Sequence, residues 1–88
     1  MKIKKDFVLR DVAGKALVIA VGDMSKTFKG IIWVNETGRV IWECLEKETT
    51  KEAIIDTMVA KFKDVDRETI EKDVEEFICK LEKDGILE

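Results

Sequence analysis

The side chains that could do chemistry are few, and they are scattered along the 88 residues. Histidine is absent, which removes the commonest general base, the usual zinc ligand and both nucleophile–histidine pairings. Cys44 and Cys79 stand far apart, outside any CxxC or ligand-spaced cluster. The run Glu68, Glu71, Glu75, Glu76 and Glu82 is interleaved with lysines, so it reads as a solvated helix face with Glu68–Lys72 and Glu76–Lys80 pairs. Phosphate-cradling glycine loops and calcium loops are missing as well. No catalytic residue, metal site or cofactor is expected.

The aromatic residues hold more interest. Trp33 alternates with Ile32 and Val34 and therefore points to the opposite face of a strand. There it either caps an edge of the core or anchors a partner. Trp42 falls outside the narrow arc of Val40, Ile41, Cys44 and Leu45, and reads as a cap on the core edge. Cys44 lies within that arc as a small apolar side chain. Cys79 lies about 180 degrees from Ile70 on its helix and reads as a free surface thiol.

These side chains need elements to hold them. Phe7–Val12 and Ala16–Val21 read as a hairpin around the turn Ala13-Gly14-Lys15, and Thr27–Val34 as a third strand. The period then changes. Asn35 caps a first helix, and Thr49 with Glu52 forms a capping box for a second. A third runs from Asp66 to about Asp84, ended by Gly85, with the stripe Ile70, Val74, Phe77, Ile78 and Leu81. The order β-β-β-α-α-α predicts an α+β domain over residues 1–88, helices on one face of a three-stranded antiparallel sheet. Such a sheet leaves two edges, and the third strand, with Lys29 as its one interior lysine, is poorly blunted if it lies on one.

Bulk properties narrow the classes. Net charge is −3 with both signs interleaved, which argues against a nucleic-acid partner. The longest apolar run, Ala16–Val21, is far too short to span a bilayer, and the basic start Met1–Lys5 leads into no apolar core of a signal peptide. Two thiols without a disulfide framework suit a reducing compartment, so a cytoplasmic location without membrane contact is expected.

The stretch Ile32-Trp33-Val34-Asn35-Glu36-Thr37-Gly38, followed by Ile41-Trp42-Glu43-Cys44-Leu45, resembles the hydrophobic-Asn-Glu-Thr-(Gly/Ala)…Ile-Trp-Glu-x-Leu signature of the PqqD family. Thr50-Lys51-Glu52-Ala53-Ile54 and Asp73-Val74-Glu75-Glu76-Phe77-Ile78…Leu81…Gly85-Ile86-Leu87 are similar to its later segments. The resemblance implies a winged-helix-like β3α3 recognition element without catalysis. Such an element binds the leader of a ribosomally made precursor peptide and delivers it to a maturation enzyme, often a radical SAM enzyme. It further implies that the leader adds antiparallel to the third strand, in a groove walled by the third helix. Mapped onto this chain, the peptide-binding positions are Phe28, Lys29, Gly30, Ile31, Ile32, Trp33, Val34, Asp73, Phe77 and Lys80. Backbone pairing supplies affinity and the flanking side chains supply selectivity. Asp73 and Lys80, about 60 and 80 degrees to one side of Ile70, either read leader charges or form a solvated rim. Two alternatives stand beside this: a winged-helix nucleic-acid binder, which the acidic start of the third helix disfavours, and a regulatory subunit that docks to an enzyme without binding peptide.

Overall fold

The computed structural model describes residues 1–28 and 30–88. Strands β1 (Phe7–Val12), β2 (Lys15–Ala20) and β3 (Ile32–Val34) precede helices α1 (Glu36–Leu45), α2 (Lys51–Lys61) and α3 (Arg67–Lys83). The sheet is antiparallel in the order β1-β2-β3, so β3 is an edge. The predicted α+β architecture is the observed one.

The hairpin turn is one residue shorter than the sequence suggests. Lys15 pairs with Val12, leaving Ala13 (φ 53°) and Gly14 (φ 79°) as a two-residue loop with both residues left-handed. That conformation matches the right-handed twist of the flanking strands.

The third strand is much shorter than Thr27–Val34. Gly22–Lys26 winds into a 3-10 helix, and the amides of Thr27 and Phe28 both donate to the carbonyl of Met24. Their hydrogen bonds are spent locally, and among the described residues only Ile32, Trp33 and Val34 pair with β2, opposite Val18, Leu17 and Ala16.

The register assigns the faces, because directly opposed residues of antiparallel strands share one. Phe7, Leu9, Ala16, Val18, Ala20, Ile32 and Val34 face the helices and pack in or against the core. Val8, Arg10, Val12, Lys15, Leu17, Ile19 and Trp33 face the other way.

Helix caps set the junctions. Asn35 accepts a hydrogen bond from the Gly38 amide at 2.8 Å, as expected. The second cap is Thr50, not Thr49: its hydroxyl accepts from the Ala53 amide at 3.1 Å. The Thr49 amide donates instead to the Met1 carbonyl, which holds Thr49 in the connection before the helix. Gly85 (φ 73°) ends α3 as predicted.

The start of the chain, which shows no strand pattern, is structured against the end. Ile3 bridges Leu87, and the Lys4 amide donates to the Ile86 carbonyl at 2.8 Å. Ile3 also donates to the Leu45 carbonyl, so this segment covers a side of α1. Trp42 is consequently at the centre of the core, 1% exposed, rather than at its edge.

Candidate peptide-binding site

β3 offers one side of its backbone to β2 and the other to no strand of the sheet. Ile32 and Val34 anchor it into the core, while Trp33 stands 60% exposed on the opposite face. Ile31, just before the strand, is 56% exposed. An unpaired edge with neither lysine nor proline among its three paired residues is an open template for another strand.

The helical wall beside this edge depends on Gly38. A methyl group there would lie 2.8 Å from Val34 Cγ1, 3.1 Å from a Phe77 ring carbon and 3.2 Å from Asn35 Oδ1. The missing side chain lets the Phe77 ring of α3 press against the first turn of α1, next to β3. A hollow of about 580 Å³ lies alongside, lined by Trp33, Val34 and Asn35 on one side and Phe77 and Lys80 on the other. Gly14, Lys15, Ala16, Glu36 and Arg39 close its end. A second hollow of about 240 Å³, between α1 and α3, shares Asn35, Phe77 and Lys80 and adds Thr37, Asp73 and Glu76.

Charge is distributed unevenly along this surface. Lys15, Arg39 and Lys80 gather at the end nearest Val34, with Glu36. Arg39 donates to Asp11 through both guanidinium nitrogens, one contact measuring 3.2 Å. That hydrogen bonding holds the Asp11 carboxyl below its ordinary value and raises Arg39. Asp73 and Glu76 line the second hollow, which Lys80 borders as well.

Of the positions expected from sequence, the structure brings Trp33, Val34, Phe77 and Lys80 into one hollow. Asp73 lines the adjoining one. Ile32 contributes its backbone and buries its side chain. Phe28 turns inward, its ring edge-on to Phe7 with centroids 5.4 Å apart, and Gly30 and Ile31 are exposed outside the ladder. Lys29 lies outside the described residues. Asn35, Gly38, Lys15 and Arg39 were missed as site residues. The first two are part of the helix-cap pattern, but the approach of Lys15 and Arg39 depends on the hairpin's position and has no local signal.

A family model described as Coenzyme PQQ synthesis protein D (PqqD) matches residues 8–87. No curated protein matches the chain. A solved structure described as TbiB1 in complex with the TbiA(beta) leader peptide is 26% identical, with a TM-score of 0.78 over 100% of this chain and 95% of that chain. With the three-strand, three-helix order and a family match running from β1 to the last residue but one, this chain belongs to the PqqD family.

Proposed function

We propose that the chain captures the leader segment of a ribosomally made precursor peptide as an added antiparallel strand on β3 and holds it for a maturation enzyme. The observation that carries this reading is the free β3 edge beside a hollow walled by Phe77 and Lys80. The similar TbiB1 was solved with a leader peptide, which supports the same ligand class here. Backbone pairing to Ile32–Val34 would give affinity, and Trp33, Phe77 and Lys80 would select the sequence. The role is capture and presentation, without catalysis, by a single recognition domain in the cytoplasm. The receiving enzyme is of the radical SAM class. No helix of the described residues is long and apolar enough to cross a membrane. The acidic first turns of α3, with Glu68, Glu71, Glu75 and Glu76 exposed, would repel a phosphate backbone.

Titrating isotope-labelled protein with synthetic leaders of precursors encoded beside its gene tests the proposal. Amide shifts are expected at residues 28–34 and along α3 at leader concentrations up to hundreds of micromolar. Their absence would overturn it.

A further inference from the structure

Five of the seven side chains on the sheet face turned away from the helices are apolar, Arg10 and Lys15 being the other two, and the face lies outside the core cluster. Leu17 is only 8% exposed, yet it lies outside the core cluster. Its cross-strand partners there are Arg10 and Trp33, and Val8, Val12 and Ile19 share its face. Val12 is 52% exposed, and with Trp33 and Ile31 it makes three of the four exposed large apolar residues described. Acidic side chains are absent from this face of the three strands, although the chain carries 19.

This surface is continuous with the free edge. A strand added to β3 places every second side chain into the hollow with Phe77 and Lys80. The side chains between them extend the row Arg10–Leu17–Trp33 on the other face. Pairing carried one residue back from Ile32 would add Ile31 beside Trp33. Strands buried on one face alternate apolar with polar residues, whereas strands buried on both faces read as continuous apolar runs.

We infer that the bound peptide is gripped on both faces of its strand, and that its recognition segment is a run of about four consecutive apolar residues rather than an alternating one. The outward half of that run packs on Trp33 and Ile31 and the inward half on Val34 and Phe77. This inference rests on the strand-addition reading and deepens it.

Selection of a displayed library of random dodecapeptides on the full chain, and on Trp33→Ser and Ile31→Ser variants, tests it. Both substituted residues are exposed, and circular dichroism checks each variant's fold. Peptides enriched on the unaltered chain are expected to carry consecutive apolar residues, with cross-strand nuclear Overhauser contacts to Ile32–Val34 fixing the register. Their binding should shift Trp33 emission to the blue, because Trp42 is already buried. At least one of the variants that folds should bind them about tenfold or more weakly and relax selection at the outward positions alone. Enriched peptides that pair with β3 but are apolar only at inward positions would overturn the inference while leaving strand addition standing. So would unchanged affinity in both variants. Peptides that bind without contacts to β3, or failure to enrich any, would overturn both readings.

Discussion

Gly38 shows how one missing side chain can shape a binding surface. It sits in the first turn of a helix, where glycine costs conformational entropy relative to alanine. Its compensation is the contact between Phe77 and the β3–α1 junction. Replacing it by valine should push Val34 and Phe77 apart and destabilise the protein by roughly 1–3 kcal/mol, read from the urea midpoint. An unchanged midpoint would show that the junction is loosely packed. The two cysteines differ in the same local way. Burial raises the Cys44 thiol above its ordinary value of 9.0, while Cys79 is exposed on α3. At mildly alkaline pH a thiol reagent should therefore modify Cys79 first and Cys44 several-fold more slowly, as peptide mapping would reveal. Both cysteine positions were legible from helical spacing. The burial of Trp42 was not, because the segment that covers α1 comes from the two chain ends and leaves no periodic mark near residue 42.

Among the elements, β3, the proposed peptide-binding edge, is the least regular. Its apolar composition predicts a strand of eight residues from Thr27 to Val34, but hydrogen bonds to Met24 divert the first two into a turn. Propensity describes how a segment fits a pleated surface, not whether its amides are already taken. The capping of α2 makes the same point. On paper Thr49 is the better cap, with Glu52 completing a capping box, and the choice of Thr50 is made by the Thr49 amide bonding to Met1. Asn35 is the cap with most at stake, since it also lines both hollows. Asn35→Ala should cost about 1 kcal/mol in thermal or urea unfolding. No loss of stability would mean that the cap hydrogen bond is replaced by solvent.

At the scale of the whole molecule, the element order was readable from sequence because turn and cap residues separate strand-like apolar runs from helically spaced ones. The unbroken apolar run Ala16–Val21, by contrast, gives no local sign of which of its faces meets the helices. The site was readable only in outline: Trp33, Phe77 and Lys80 converge because β3, α1 and α3 meet at Gly38, a tertiary fact. Of the two edges that the sheet leaves, β1 and β3, it is β3 that lies beside the hollow lined by Phe77 and Lys80. The most direct measurement is amide hydrogen exchange across Ile32–Val34 with and without a bound leader peptide. Strand addition predicts that amides on the free side of β3 become markedly slower to exchange in the complex, with cross-strand contacts to the peptide. Binding that leaves their exchange unchanged, while protecting other surfaces, would contradict it.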